Sequence, residues 1–315
     1  MKKYLSVATV LLTVLILAGC GGSSLSRSEY TIATGSKSGV YYPIGETLAA
    51  ILKVDYPNVE LKIIETAGSV ENMQMLKDGK VDMALVQNDI AFYASEGEAM
   101  FNSGKISNFS GIATLFPEVV QFIVRKETGI SSLKDMAGRK IAVGGKNSGT
   151  YYNAQQILTL AEVWENIDQQ YIGATEAMKE VQEGRLDGFI FTSGLPNPSI
   201  IELAKKVEIT IVPIEPELVQ KLVSNYSFYY PSTIAPNQYP GQTDEISAVE
   251  INAILVSGPT LSENDQYLLT RHLFGKPNEL GQSHPRLSKM TRNSLRRQMP
   301  VQIGKGAFKA HSEAP

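Results

Sequence analysis

From residue 30 onward, short apolar runs alternate with longer segments in which apolar residues recur every three or four positions. The runs Tyr30–Ala33 and Met83–Val86 have the length of buried strands. Between them, Ile44, Leu48 and Leu52 have the spacing of one buried helix face. This alternation of strand and helix patterns predicts an α/β fold with parallel strands.

Two stretches about 110 residues apart carry one pattern twice. Ser38–Tyr42 matches Ser148–Tyr152, and each follows a short β-type run and opens a helical pattern. Leu76–Asp82 matches Val181–Asp187 at nearly the same offset, with a glycine where each helix is expected to end. Matches of this kind also arise without a true repeat, because similar turn residues commonly separate helices from strands. Their order and spacing favour two β-α-β-α-β units.

Two such units predict two lobes with a ligand cleft between them, beyond the carboxyl ends of the strands. Leu115–Val124 is expected to leave the first lobe as a long strand, and Ser227–Pro231 is expected to return. Strand Ile251–Val256 and helix Glu263–Phe274 then rejoin the first lobe. The expected boundaries, joined by two hinge crossings that allow a clamshell closure, are 29–117 plus 235–315 for lobe 1 and 118–234 for lobe 2.

The first twenty residues have the pattern of an export signal. Two lysines near the start precede the apolar stretch Leu5–Ala18, which is too short to span a bilayer. Leu17–Cys20 (Leu-Ala-Gly-Cys) resembles a bacterial lipobox, which implies a signal peptide over residues 1–19 and a lipid on Cys20. Residues 20–28 then form a lipidated tether, and the protein is expected in the periplasm or at the cell surface, anchored to a bacterial membrane. An uncleaved anchor helix is the alternative.

Composition disfavours several classes of function. Lys+Arg number 29 against 32 Asp+Glu, a net charge of -3, which provides no basic surface for nucleic acid. The one cysteine, Cys20, and the three histidines, His272, His284 and His311, have no metal-ligand spacing. We therefore expect no disulfide and no metal site. Because ATP and NAD are not available outside the cytoplasm, no cofactor is expected.

Catalytic motifs do not fit the chain either. Gly35–Gly39 has lysine where a nucleophile elbow needs serine, and Lys140 and Asn147 replace the glycine and the Ser/Thr of a P-loop. No histidine lies in the repeated units, which removes the commonest general base. Glu118 and Asp187 are possible acids, but nothing in the sequence couples them. The sequence favours a binding protein over an enzyme.

Two loops rich in glycine and serine, Thr34–Tyr41 and Gly144–Thr150, each precede a predicted helix. Backbone N–H groups at a helix N-terminus attract anions, so two such loops at one cleft suit a ligand with two carboxylates, or one carboxylate and another polar group. Lys37 and Lys146 would strengthen that attraction if they point inward. The alternatives are plain helix capping and two solvated lysines.

Polar residues follow the third strand of each unit, where a parallel sheet presents its ligand groups. Gln87 can donate to a carboxylate or carbonyl, and Asp89 can accept from a ligand ammonium or cap the next helix. Ser193 and Gly194 take the same place in the second unit. A pair of tyrosines opens each helix, Tyr41 and Tyr42 in the first unit and Tyr151 and Tyr152 in the second. In each pair, one side chain is expected to line the cleft and the other to pack in the core.

A series of motifs occurs in one order along the chain: Thr34–Gly45, Gly68–Asn72, Gly79–Asp89, Leu115–Val120, Ser148–Thr150 and Gly194–Pro196. Together they resemble the TAXI class of solute-binding proteins, the receptors of tripartite ATP-independent periplasmic (TRAP) transporters. Tyr239–Gly241 and His284–Pro285 extend the resemblance over essentially the whole mature chain.

The resemblance implies a type II-like periplasmic-binding fold, a monomer that closes on a small solute and delivers it to the TRAP membrane permease subunit. It also implies ligand contacts in both loops, in the Gly-Ser-Val-x-Asn turn and at the strand ends. With the two lysines and loop glycines added, the candidate ligand-binding residues are Ser36, Lys37, Gly39, Val40, Tyr41, Ser69, Asn72, Gln87, Asp89, Lys146, Ser148, Gly149, Thr150, Ser193 and Gly194.

Two features depart from the family's pattern. Lys37 and Lys146 stand where small or uncharged residues are expected, which favours an acidic ligand. The tail Pro300–Ala307 lacks the histidine expected there, which bears on transporter docking. Since family members bind acidic amino acids or 2-oxo dicarboxylates, a glutamate-like amino acid or a dicarboxylate is the expected solute. A surface sensor or immunogenic lipoprotein with this fold and no transporter is the alternative.

Overall fold

The computed structural model describes residues 24–275, 277–291 and 293–313. The predicted signal peptide, residues 1–19, the predicted lipidation site Cys20 and the start of the predicted tether lie outside these residues. The strands are β1 (Glu29–Ala33), β2 (Glu60–Ile64), β3 (Met83–Gln87), β4 (Ser110–Arg125), β5 (Lys140–Ala142), β6 (Asp168–Gln170), β7 (Gly188–Ser193), β8 (Ile209–Val212), β9 (Tyr230–Ile234) and β10 (Ile246–Ser257). The helices are α1 (Tyr41–Asp55), α2 (Ser69–Lys77), α3 (Asn88–Glu96), α4 (Gly149–Leu160), α5 (Ala174–Gln182), α6 (Pro198–Ala204), α7 (Pro216–Asn225), α8 (Glu263–Phe274), α9 (Pro277–Ser283) and α10 (Lys305–Glu313).

The internal repeat appears as two parallel three-stranded units with the same strand order. In the first, β1 lies between β2 and β3, and in the second β5 lies between β6 and β7. Below, the unit with β1–β3 and α1–α3 is called lobe 1, and the unit with β5–β7 and α4–α5 is called lobe 2. Because both units have one topology, the predicted α/β fold with two β-α-β-α-β units is confirmed.

Glycines end the second helix of each unit, as expected. Gly79 follows α2 with a φ of 65°, and Gly184 follows α5 with a φ of 74°. Both lie in the left-handed region, which glycine enters without steric cost. The chain can therefore turn at once from each helix into the strand behind it.

Two long antiparallel strands, β4 and β10, join the lobes. The first part of β4 pairs with β10, and the part from Val119 onward pairs with β7 and β8. The first part of β10 pairs with β9, and its last residues, Ala253–Ser257, pair with β3 of lobe 1. The long strand predicted at Leu115–Val124 is confirmed. The predicted return crossing at Ser227–Pro231 is wrong, since this segment leads into β9 and β10 crosses instead.

Apolar clusters cover the sheet, and helices pack over them. In lobe 1 the buried face of α1, with Ile44, Leu48 and Leu52, packs in one cluster with Leu269 and Leu273 of α8. The C-terminal helices thus lie against lobe 1. No helix among the residues that the structure describes combines the length and the apolar character that crossing a membrane requires.

Candidate functional site

A cavity of about 270 Å³ lies between the lobes, at the carboxyl ends of the parallel strands. Four loops line it, each running from a strand into the next helix: β1 to α1, β2 to α2, β5 to α4 and β6 to α5. The ends of β3 and β7 and the middle of β4 complete the wall. Both lobes therefore contribute equivalent elements to one cavity.

Four helices begin at this cavity. In lobe 1, α1 begins at Tyr41 and α2 at Ser69, whereas in lobe 2, α4 begins at Gly149 and α5 at Ala174. The first N–H groups of a helix have no partner within the helix, and they carry the positive end of its dipole. A negatively charged group in the cavity is thus stabilised from both lobes at once.

Local bonds fix the loop before α4. The Ser148 hydroxyl accepts a hydrogen bond from Tyr151 N (3.2 Å) and donates one to Gly145 O (2.7 Å). Ser148 therefore caps its helix, and it also lines the cavity. In lobe 1 the turn before α2 uses Gly68, whose φ of 124° is a conformation that other residues rarely adopt.

Glu118 of β4 places a buried carboxyl group in the cavity wall. Its side chain accepts a 2.6 Å hydrogen bond from the hydroxyl of Tyr41, and the residue is 3% exposed. Burial raises the pKa of Glu118 to about 8, although the Tyr41 bond and the charge of Arg286 act to lower it. Near neutral pH this carboxyl is therefore mostly protonated.

Gln87 presents an unpartnered acceptor at the end of β3. Its Nε2 donates to Asn153 Oδ1 (3.2 Å), and its Oε1 has no hydrogen-bond partner among the described residues. A buried acceptor without a hydrogen-bond partner lowers the stability of the fold by about 1–3 kcal/mol. The oxygen lies against Gly149, where a Cβ atom would fall 1.5 Å from it, so any other residue at the start of α4 would have to displace the Gln87 amide.

Hydrogen bonds across the cleft hold the lobes together around the cavity. Thr175 Oγ1 donates to Ser38 Oγ (2.8 Å), and Asn197 Nδ2 donates to Ser38 O (3.3 Å). On another side of the cleft, Glu71 N donates to Asn147 O (3.2 Å). The structure thus has its lobes in contact, in a closed arrangement.

Most of the sequence-derived candidates meet at this cavity, although their contact with a ligand stays a prediction. They come from five separate stretches of the chain, brought together by the two units and by β7. The candidates that line the cavity are Ser36, Gly39, Val40, Tyr41, Ser69, Gln87, Ser148, Gly149, Thr150 and Ser193.

The two lysines lie outside the lining. Lys37 Nζ lies 3.9 Å from a carboxylate oxygen of Glu65 and 5.3 Å from the ring centroid of Tyr42. Lys146 Nζ lies 4.5 Å from the ring centroid of Tyr171. Both side chains are exposed, since water and a neighbouring ring solvate the ammonium without the cost of burying it. The structure thus corresponds to the alternative of two solvated lysines.

Asn72 and Gly194 also lie outside the lining. Asn72 is buried, and its Nδ2 donates to Thr34 O (2.6 Å) and Leu85 O (2.7 Å), so it ties β1 to β3. Gly194 lies beside the guanidinium of Arg286, where a Cβ atom would meet Nη1 at 3.0 Å. Asn72 supports the strand ends that carry the cavity loops.

Asp89 is fully buried behind the cavity. Its Oδ1 accepts from Ile90 N (2.8 Å), and its Oδ2 accepts from Asn153 Nδ2 (2.8 Å). Burial raises the pKa of Asp89 to about 7, although these hydrogen bonds act to lower it. Asp89 thus lies inside the first turn of α3, where it bonds a backbone N–H, and it contacts lobe 2; the N-cap of α3 is Gln87, so the predicted capping role of Asp89 is wrong.

The sequence analysis did not single out the start of α5. Gly173, Ala174, Thr175 and Glu176 line the cavity there. The repeat contains the signal, because Gly173 follows Gly68 at the same offset that separates the two helix-ending glycines. Extending the repeat by that offset would have found this loop.

Glu118 lines the cavity, but Asp187, the other possible acid of the sequence, does not lie beside it. Asp187 Oδ2 accepts from Lys140 N (2.8 Å) at the amino end of β5, the far end of the strand from the cavity. Glu118 pairs with Tyr41 instead. Among the residues that the structure describes, no group of three or more His, Cys, Asp or Glu side chains is placed to hold a metal ion.

Known proteins share both the sequence pattern and the architecture. A model of the NMT1-like family matches residues 32–314. The structure is similar to that of a protein from Bordetella bronchiseptica RB50, at 16% identity and a TM-score of 0.52, over 91% of this chain and 83% of that one. It is also similar to the alkanesulfonate-binding protein SsuA from Xanthomonas axonopodis pv. citri bound to MOPS, at 12% identity and a TM-score of 0.50, over 93% of this chain and 86% of that one. At such identities the likeness shows the fold, which is the predicted periplasmic-binding-protein fold.

Proposed function

Since this chain belongs to the NMT1-like family, we propose that it is an extracytoplasmic solute-binding protein that captures a small carboxylate-bearing solute between its lobes. The observation that carries the proposal is the convergence of four helix N-termini, two from each lobe, on one cavity. A solute held from both sides stabilises the closed state by its extra affinity for that state. The protein then acts as a binder and not as an enzyme.

The charged residues of the lining favour an amino acid over a dicarboxylate. The ionisable acids there are Glu118 and Glu176, and none of the described lining residues is Lys, Arg or His. Both solute classes carry two carboxylates, which the helix N-termini of the two lobes can receive, so the carboxylates do not distinguish the classes. An ammonium group, in contrast, gains a partner in Glu118. Of the two solute classes expected from the sequence, a glutamate-like amino acid is better supported than a 2-oxo dicarboxylate.

The membrane partner that we propose is a TRAP permease subunit, because the ordered motifs of the chain resemble TAXI receptors. Those motifs lie on the elements that build the cavity: Thr34–Gly45, Gly68–Asn72, Gly79–Asp89 and Ser148–Thr150. A receptor of this kind delivers its solute to an ion-driven permease. A sensor without a transporter would keep the same cavity, so a permease gene beside this one would favour transport.

The start of the described chain is compatible with a lipid on Cys20. Ser26 bonds Asp265, and Arg27 Nη2 donates to Asp82 Oδ1 (2.7 Å). Asp82 precedes β3, whereas the cavity lies at the other end of that strand. A tether that joins lobe 1 there leaves the cavity unobstructed when the protein is anchored to a membrane.

A thermal-shift screen of the full-length mature protein in detergent tests the proposal. The solutes are acidic and neutral amino acids, dicarboxylates, and taurine, which separates carboxylate from sulfonate recognition. We expect a concentration-dependent rise in Tm with at least one acidic amino acid. A response only to cationic solutes, or to solutes without an anionic group, would overturn the assigned solute class.

A further inference from the structure

The positive charge of the chain is concentrated near its C-terminus. Between Glu279 and Glu313 the sequence has seven Lys or Arg residues and no Asp or Glu, although the whole chain has a net charge of -3. The residues before this segment therefore carry a large negative excess. The near balance of charge over the whole chain conceals this asymmetry, which is typical of proteins that contact a charged partner or a membrane.

The basic segment is packed against the first part of β4. Thr114 Oγ1 donates to Arg297 O (2.8 Å), and Gly111 N donates to Gln302 O (2.9 Å). Gly304 N donates in turn to Gly111 O (3.0 Å), directly before α10 begins. The charges are therefore held in place on the folded surface beside β4.

The cations of this surface remain available to an outside anion. Arg296, Arg297, Lys305 and Lys309 are all exposed. The first three form no ion pair with another described residue, and Lys309 Nζ lies 4.0 Å from a carboxylate oxygen of Glu313. Because so few acids stand beside them, their positive potentials add up instead of cancelling.

An aromatic ring stands among these cations. Phe308 of α10 is 55% exposed, whereas Ala307 and Ala310 on the same helix are buried. The outward side of α10 thus combines this ring with two lysines. Exposed aromatic and basic residues on one helix are typical of helices that lie in the headgroup region of a membrane. We call the following five residues the basic face: Arg296, Arg297, Lys305, Phe308 and Lys309.

The start of the described chain lies near α10. Ser26 N donates to Asp265 Oδ1 (2.9 Å) in the first turn of α8, and Ala307 N of α10 donates to Gln266 Oε1 (3.2 Å) in the same turn. Cys20 precedes Ser26 by six residues, a length that reaches at most about 20 Å. A lipid on Cys20 therefore brings α10 close to the headgroups.

We propose that the basic face docks on an anionic phospholipid surface, with its cations among the phosphate groups and the Phe308 ring between them. Each Lys or Arg near such a surface strengthens binding about fivefold. Acidic residues elsewhere oppose this little once they lie more than about 8 Å from the headgroups, because salt screens their charge. The inference goes beyond solute binding, and its tether step rests on the proposed lipid on Cys20.

Docking in this way would determine which side of the molecule faces the membrane. A lipid on a short flexible tether holds the protein near the bilayer but leaves it free to rotate. The basic face lies near the point where Ser26 bonds α8, whereas the cavity lies at the other end of β3. The cavity therefore stays open to solutes while the protein is docked.

Co-sedimentation with vesicles tests the inference, on the full-length mature chain with Cys20→Ser so that no lipid contributes. The vesicles contain phosphatidylcholine alone, or phosphatidylcholine and phosphatidylglycerol in equal parts. We expect binding to the mixed vesicles to be at least about tenfold tighter than to the neutral ones, and to weaken as salt rises. Equal binding to both kinds of vesicle, or binding to neither, would overturn the inference.

Variants of the same chain locate the contact. Arg296→Gln with Arg297→Gln should weaken binding to the mixed vesicles by about tenfold or more. The matched control, Lys205→Gln with Lys206→Gln, also removes two neighbouring exposed cations, directly after α6, and should change binding by less than about threefold. An equal loss in both double variants would mean that net charge alone governs binding, which contradicts a defined face.

Phe308→Ala separates the ring from the charges. It should weaken binding about fivefold at low and at high salt, because the contribution of the ring is not ionic. Tyr171→Ala removes another exposed aromatic ring, in lobe 2, and should leave binding to vesicles unchanged. Equal effects of the two substitutions would contradict insertion of Phe308.

The competing occupant is an acidic surface of the proposed permease. If the wild type binds neither kind of vesicle, while the Arg296 and Arg297 double variant binds the permease in detergent more weakly than the wild type does, the basic face docks on protein and the inference is wrong. Calorimetry without vesicles keeps the proposed function apart, since the double variant should bind solute as the wild type does. A wild type that binds anionic vesicles but no acidic solute supports the basic face and contradicts only the assigned solute class.

Discussion

Tyr41 donates a 2.6 Å hydrogen bond to Glu118, and both side chains are buried in the wall of one cavity. The bond joins the first turn of α1 to β4 near Val119, from which β4 pairs with lobe 2. It gives the buried carboxyl group a neutral hydrogen-bond partner. The ionisation of Glu118 should therefore affect both the free energy of unfolding and the affinity for a solute.

The free energy of unfolding should fall as pH rises from about 5 to 8. Folding raises the pKa of Glu118 to about 8 and that of Asp89 to about 7, so the native state binds more protons than the unfolded state in this range. The stability that these groups contribute is complete below their ordinary pKa values and is lost as pH rises through the native ones. Urea unfolding at several pH values measures the slope.

Glu118→Gln provides the control for that slope, since the amide keeps an acceptor for Tyr41 and cannot ionise. Between pH 5 and 8 the wild type should lose about 3 to 4 kcal/mol more than this variant. The lowered pKa of His284 acts in the opposite direction, but it is common to both proteins. Parallel curves for the two proteins would show that Glu118 does not titrate as described.

Binding of an amino acid should release a proton near pH 7. A ligand ammonium beside Glu118 favours the carboxylate and lowers its pKa, so a carboxyl that is mostly protonated before binding gives up its proton. Calorimetry in two buffers with different ionisation enthalpies measures the number released. We expect about half a proton or more in the wild type and none in Glu118→Gln. Equal release from both proteins would place the titrating group elsewhere.

Gly149→Ala should destabilise the protein, because its Cβ atom would fall 1.5 Å from Gln87 Oε1. Overpacking of this kind costs about 1–3 kcal/mol. Gly173→Ala is the matched control at the start of another cavity helix, where a Cβ atom meets nothing within 4 Å. Thermal unfolding should separate the two, and an equal Tm for both variants would contradict the packing described around Gln87.

Lys37→Ala and Lys146→Ala should each change the affinity for an acidic solute by less than about threefold, because exposed charges outside the cavity are screened by salt. Titration at about 0.15 M salt measures this. A loss of more than about tenfold in either variant would mean that the lysine reaches the solute. The anion affinity would then depend on side-chain charge and not on helix N-termini.

The repeated units could be predicted from the sequence because their signals are local. Each strand, glycine turn and helix lies within one short stretch, and α8 was expected with the bounds that it has, Glu263–Phe274. The second crossing is not visible in the sequence because the first half of β10 mixes half-buried and buried positions without a regular period, whereas the strand pattern of the sequence begins at Ile251. Pairing with β9 and β4, not composition, makes those residues a strand.

The polar network of the site could not be predicted. Asn153 contacts Asp89 and Gln87, which lie more than sixty residues away on the other lobe, and no spacing rule connects them. Side-chain direction was equally inaccessible: Lys37 and Lys146 share the loops that build the cavity, yet a nearby ring and water keep both outside it. Hydrogen-bond partners and side-chain directions of this kind depend on the tertiary structure around each residue.

A crystal structure with the best-binding solute from the thermal-shift screen tests the central claim most directly. We expect the solute in the cavity, with its carboxylate about 3 Å from backbone nitrogens at helix N-termini of both lobes. Those helices are α1 or α2 on one side and α4 or α5 on the other. A solute bound outside the cavity, or held by one lobe alone, would contradict it.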